Sequence, residues 1–169
     1  MKLDSRLKPF EVLAVAVKSE ADAAGLYAAL KDKVRSRLLQ RKLDFLIFEE
    51  KRHGRILERL YAQRFPGQAL ELPAVSFLPS SLRVDPEGLS VPRLFRTALK
   101  AEKYSEEFYL AARKAMKDAS SRKILEYLGR VERSHYFLVK SEIDLLEKFP
   151  DSYKVEDAHL GEDLVHVGP

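Results

Sequence analysis

EYLGRVERSHYFLV, residues 126–139, decides how this chain is read. With the preceding Leu125 it sets Leu125, Leu128, Glu132, His135 and Val139 three and four residues apart. That is the spacing of a helix face turned inward, not the alternation of a strand. The face ought to be dry, yet its centre carries a carboxylate and an imidazole.

The same pattern recurs on both sides. A second helix places Leu39, Leu43, Leu46, Glu50, His53, Leu57 and Leu60 in one seam. A first reads Leu13, Val17, Glu20, Ala24 and Tyr27, and a third reads Phe95, Leu99, Glu102, Glu106 and Tyr109. Turn and N-cap residues near Asp32 to Ser36 and Asp118 to Ser121 separate the members of each pair. Four helices of roughly 25 residues follow, each about 37 Å long at 1.5 Å per residue.

Proline marks the midpoint. Five of the eight prolines, Pro66, Pro73, Pro79, Pro86 and Pro92, fall between residues 66 and 92, and a helix interior tolerates none of them. Adjacent antiparallel helices need about 2–8 linking residues. The stretch 64–91 is long enough to run the length of a bundle. The expected fold is therefore all-α, an antiparallel four-helix bundle of ferritin-like topology. Its hairpins span about 8–63 and 92–148, the crossover 64–91, the whole bundle 1–149, and an acidic C-terminal tail 150–169.

Composition fits one domain: 169 residues, 46% apolar and 33% charged. The absence of cysteine excludes thiolate nucleophiles, zinc ribbons and iron–sulfur clusters, so any metal must sit on His and carboxylates. The apolar run from Val12 to Val17 is too short to span a bilayer and has no signal-peptide cleavage pattern after it, which predicts a cytoplasmic protein with no membrane partner. The tail carries one Lys and five acids, a net of −4, so residues 1–149 hold +8 where the whole chain holds +4. Lys31, Lys33, Arg35, Arg37, Arg41 and Lys42 form the densest basic stretch. Leucines at helical spacing interrupt it and no recognition motif accompanies it, so it reads as a solvated helix face rather than a phosphate-binding one, and nucleic acid is not an expected partner.

Six buried Glu and His side chains need a common reason, because an unpartnered carboxylate in a core costs several kcal/mol. Two cations at the bundle centre provide one, with each Glu-x-x-His directing an oxygen and a nitrogen the same way. The halves also repeat. Glu20, Tyr27, Glu50 and His53 return as Glu102, Tyr109, Glu132 and His135, each 82 residues on (20 to 102, 27 to 109, 50 to 132, 53 to 135). Tyr27 and Tyr109 lie two turns beyond Glu20 and Glu102, and the lean of helical side chains suggests that each phenol reaches back to the carboxylate of its own helix. Packing with a satisfied hydroxyl is the plainer role.

Glu…Glu-x-x-His…Glu…Glu-x-x-His on four helices with a long middle connection resembles the ferritin-like di-iron carboxylate superfamily. Within it, AEKYSEEFY, EYLGRVERSHYFLV and SEADAAGLY are similar to helix signatures of the rubrerythrin group. The resemblance runs from about residue 8 to 148. It implies metal ligands Glu20, Glu50, His53, Glu102, Glu132 and His135, and two iron ions, with manganese or zinc also suited to the donors. Rubrerythrins usually carry another helix 3 carboxylate where this chain has Ser105; either Glu106, one step on, takes its place or the set stops at six. The rubredoxin domain has no counterpart here, implying a separate electron donor, a rubredoxin-like protein or a small reductant.

The resulting expectation is a redox protein that reduces hydrogen peroxide or dioxygen, with Tyr27 and Tyr109 orienting carboxylates or assisting proton delivery. Ferrous oxidation and storage in a larger assembly is the alternative, and a basic helical interaction module with a structural metal is a third. A homo-oligomer, a dimer first, is expected. Gly25, Gly54 and Gly129 interrupt predicted helices at about 1 kcal/mol each relative to Ala. Close helix approach, or room near the metals for a small ligand, would account for them. His159 and His166 read as surface residues of the tail, with a peripheral metal site involving Asp157, Glu162 or Asp163 as the alternative.

Overall fold

The computed structural model describes residues 7–149 except 80, 81 and 84; the acidic tail and its two histidines lie outside the described residues. Four helices account for most of them: α1 (Pro9–Lys33), α2 (Arg37–Arg64), α3 (Val91–Ala112) and α4 (Ala119–Lys148). The described residues contain no strand.

The starts of α1, α2 and α4 have local causes. Pro9 opens α1, and the Lys8 N–H donates to the Glu11 carboxylate at 2.7 Å. Ser36 caps α2 by accepting from the Leu39 N–H at 3.3 Å, and Asp118 caps α4 by accepting from the Ser121 N–H at 2.8 Å. Arg64, the last residue of α2, reaches Asp118 at 2.6 Å and so ties the end of one hairpin to the turn of the other. A single 3₁₀ turn, Arg113–Ala115, ends α3 earlier than the sequence suggests, leaving it the shortest helix at 22 residues.

Two apolar layers fix the helix directions. At one end Val12, Leu13, Leu57, Leu60, Phe108 and Leu125 share a cluster. At the other, Leu30, Leu39, Leu43, Leu94, Phe95 and Val139 do. Helices α1 and α4 therefore run one way, α2 and α3 the other, with α1 packed on α2, α3 on α4, and the hairpins joined chiefly through α1 and α3. That order requires the crossover to traverse the bundle, and it does. Phe65 packs edge-on to Phe10 near the start of α1, Phe77 stacks on Phe108 midway, and the Glu87 carbonyl accepts from Lys33 Nζ at 2.9 Å at the far end of α1. Gly67, at φ +84°, makes the turn out of α2, a conformation other residues resist.

The helical glycines separate into different cases. A Cβ at Gly129 would stand 3.3 Å from Tyr109 Cβ and 3.5 Å from the Glu106 carbonyl oxygen, so glycine there lets α4 approach α3. At Gly54 it would meet only ordinary contact with Glu20, and at Gly25 it would meet nothing within 4 Å. Close approach accounts for Gly129 and not for Gly25. Half of the basic stretch is occupied within the fold: Lys31 pairs with Asp44 at 2.6 Å, Lys42 with Glu142, and Lys33 with the crossover.

Candidate metal centre

Between the two apolar layers, each helix contributes to one polar cluster. Glu20 comes from α1, Glu50 and His53 from α2, Glu102 from α3, and Glu132 and His135 from α4; none is more than 4% exposed. The i, i+3 spacing puts each Glu–His pair on the inward stripe of its helix, so the leucines that bury the stripe bury the pair.

The donors fall into two overlapping groups. Glu20, Glu50, His53 and Glu132 bring ligand atoms within 4.8 Å of one another, as do Glu50, Glu102, Glu132 and His135. Glu50 and Glu132 belong to both. His53 Nδ1 stands 3.0 Å from Glu132, 3.4 Å from Glu20 and 3.4 Å from Glu50. His135 Nδ1 stands 3.0 Å from Glu50 and 3.7 Å from both Glu102 and Glu132. The two imidazoles face each other with centroids 5.5 Å apart.

These distances bring charge together without aligning hydrogen bonds. Among the described residues, ten buried side-chain polar atoms lack a hydrogen-bond partner; one is Ser76 Oγ, and the other nine all belong to these six side chains. Native cores leave few such atoms. Nine in one place, all of them oxygen or imidazole nitrogen, make a donor set that fits divalent metal.

The electrostatics agree. Burial, then the charge of Glu50, pushes Glu20 up to about 8. Burial, with Glu50 and Glu132, holds Glu102 well above the carboxylate range. Burial also works against ionised Glu50, but His135 and His53 outweigh it and lower its pKa. Desolvation opposes charge on the histidines, yet the carboxylates win: Glu132 and Glu50 raise His135 to about 10, and Glu132, Glu20 and Glu50 raise His53 further.

The tyrosines are placed differently from expectation. Tyr27 donates to Glu102 Oε1 and Tyr109 to Glu20 Oε1, each across the α1–α3 interface rather than along its own helix. Seven residues span about 10.5 Å of helix axis, beyond a phenol's reach, whereas antiparallel α1 and α3 set Tyr27 level with Glu102. Burial, then the neighbouring carboxylates, raises both phenols well above their ordinary pKa, so they remain donors.

Glu106 does not join either group. It lies 24% exposed at the edge of α3, with Oε1 3.9 Å from Arg133. Two features escaped the sequence reading. The Phe45 ring lies edge-on to His135 with centroids 6.5 Å apart although half exposed, and nothing in its spacing marks it. Glu142 is buried at 3% exposure and paired with Lys42; extending the α4 seam three residues past Val139 would have reached it.

A family model described as Rubrerythrin matches residues 11–143. Among solved structures, a hypothetical protein from Pyrococcus furiosus is similar at 31% identity and a TM-score of 0.77, covering 85% of this chain and 92% of that one. No curated protein matches. No helix among the described residues is long and apolar enough to cross a membrane.

Proposed function

The chain belongs to the rubrerythrin family, and from that premise we propose that it is a di-iron oxidoreductase reducing hydrogen peroxide or dioxygen at the bundle centre. The observation that carries the reading is the sharing of Glu50 and Glu132 between two donor groups. In this reading Glu20 and His53 would help to hold one ion and Glu102 and His135 the other, with Glu50 and Glu132 available to both. The donors suit manganese and zinc as well, and the preference for iron rests on the family.

When bound, an iron pair supplies the two electrons that, with two protons, convert hydrogen peroxide to two waters. The chain's own residues do the rest. Tyr109 holds the orientation of Glu20, and Tyr27 that of Glu102, from phenols that stay protonated. Leu57, Leu128 and Val17 on one side, with Leu46, Ala98 and Val139 on the other, keep bulk water from the donors. Electrons come from a separate protein or small reductant. The protein works as a homodimer, a state supported by the exposed Phe45 and Phe48 of α2 and testable by sedimentation.

Anaerobic titration of the metal-free protein with ferrous iron, followed by peroxide, tests the assignment. Two irons should bind per chain, and one peroxide should oxidise both. His53→Ala and Glu132→Ala should each lose stoichiometric binding of the second ion. Two tightly held ions in both variants would sink the ligand assignment, and iron that binds but ignores both oxidants would sink the reaction.

A further inference from the structure

On the side of α1 facing the crossover, Ala21, Gly25 and Leu26 line a half-open cleft of about 720 Å³, bounded by Leu78 and Leu82 of the crossover and Ala101 of α3. Ala21 and Ala101 adjoin Glu20 and Glu102 in sequence, so the cleft lies behind the carboxylate centre, one helix wall away. Its volume falls within the roughly 300–1,000 Å³ of small-molecule sites. Hydrogen peroxide and dioxygen need nothing of this size.

Three observations give the cleft a purpose. Gly25 sits mid-helix, where glycine is unfavourable, yet nothing lies within 4 Å of a Cβ added to it. Packing therefore does not require the glycine; its effect is to leave the space open. The internal repeat supplies a comparison: the positions equivalent to Ala21 and Gly25 on α3, 82 residues on (21 to 103, 25 to 107), are Lys103 and Glu107. The small-residue face is present on α1, beneath the crossover, and absent from the equivalent positions of α3. Second, Ser76 lines the cleft at 7% exposure, and its buried Oγ has no hydrogen-bond partner. Third, the cationic Arg83 is among the residues lining the cleft, while the carboxylate residue there, Asp22, is already engaged by Lys18.

A mainly hydrocarbon wall with one unsatisfied hydroxyl and one guanidinium fits an apolar body ending in a planar anion. Arginine's fork matches a carboxylate, and the Ser76 hydroxyl can donate to an acceptor. We infer that the cleft between α1, α3 and the crossover is a binding site for a small apolar carboxylic acid. The site goes beyond the redox reading and does not depend on it, since none of its lining residues is a proposed metal ligand.

Calorimetric titration of the metal-free protein with decanoate, and with decanol as the uncharged analogue, tests this. Decanoate should bind saturably at one per chain. Gly25→Leu fills the open space with a better helix former, so it should melt no lower than the parent while binding decanoate about tenfold more weakly or not at all. Arg83→Gln should weaken decanoate by about tenfold and leave decanol unchanged. Absence of saturable binding, or binding that survives Gly25→Leu intact, overturns the site. Equal losses of decanoate and decanol in Arg83→Gln overturn its assignment to an anion.

Discussion

Loading two divalent cations into the cluster at pH 7 should release about four protons per chain. The count comes from the groups that hold protons in the protein alone. His135 is raised to about 10 and His53 further, while Glu20 is raised to about 8 and Glu102 well above its ordinary value. Each is a ligand only when deprotonated. A raised pKa keeps the proton on at pH 7, so metal binding must displace it and weakens as the pH falls. With four protons displaced, the two-metal association constant should change by about four log units per pH unit just below neutrality, roughly 5 kcal/mol. Above pH 8 the count should drop toward three as Glu20 loses its proton beforehand. Manganese or zinc, which avoid redox side reactions, can be titrated calorimetrically at fixed pH in buffers of different ionisation enthalpy. The slope of observed heat against buffer heat is the proton count. Two ions bound with one proton or fewer released would refute the proton inventory, and with it the account of how four carboxylates and two imidazoles coexist in the core.

Three further outcomes are expected. Glu106→Gln should leave metal stoichiometry unchanged, whereas Glu50→Gln, at a residue shared by both donor groups, should lower occupancy of both; metal analysis after gel filtration decides, and metal loss in Glu106→Gln would move that residue into the centre. Tyr109→Phe leaves a buried Glu20 oxygen without its donor and should cost about 1–3 kcal/mol in metal-free protein, with Tyr27→Phe costing the same within error; chemical denaturation measures both, and a large inequality would contradict the two-fold arrangement. Leu57→Ala, at a fully buried position, should cost about 2–5 kcal/mol, lowering the melting temperature by roughly 4–20 °C. A shift of a degree or less would place Leu57 outside the core.

Most of the fold was legible because its signals are periodic. The proline-free halves and the three-and-four spacing of Leu39 to Leu60 and Leu125 to Val139 mark the helices. The length of 64–91 requires the crossover, since α3 must begin where α1 ends. The side chains that converge were visible for the same reason: charge in an apolar seam is conspicuous. What was not legible depends on helix-to-helix registration. Tyr27 was assigned to the carboxylate of its own helix because spacing along one helix says nothing about which residue of a neighbour stands level with it. Glu106 was open because it keeps the seam spacing, but its counterpart in the first half is Ala24 (106 − 82 = 24), so the repeat argued against it. The cleft beside Gly25 was not legible: a helical glycine suggested close approach or room near the metals, whereas this space lies under the crossover, whose position no spacing along α1 records.

The repeat and the antiparallel packing of α1 on α3 together make the two tyrosine contacts a single fact. Contact partners across that interface satisfy one sum, 20 + 109 = 27 + 102 = 129, and the 82-residue repeat exchanges one pair for the other. The same exchange turns Glu20, Glu50, His53 and Glu132 into Glu102, Glu132, His135 and Glu50, which is the second donor group. The two positions therefore have the same donors by construction, and any difference in their affinity must come from residues that break the repeat. Those residues are specific. Beside the His135 group stand Glu106 and Arg133, where the first half has Ala24 and Lys51, and the crossover lies over Ala21 and Gly25 but not over a matching small-residue face of α3. Glu106→Ala and Arg133→Lys, which restore the symmetric residues, should bring two unequal stepwise constants for manganese closer together. If the steps are unequal and stay so in the double variant, the asymmetry lies in the crossover, and Gly25 is the next position to change.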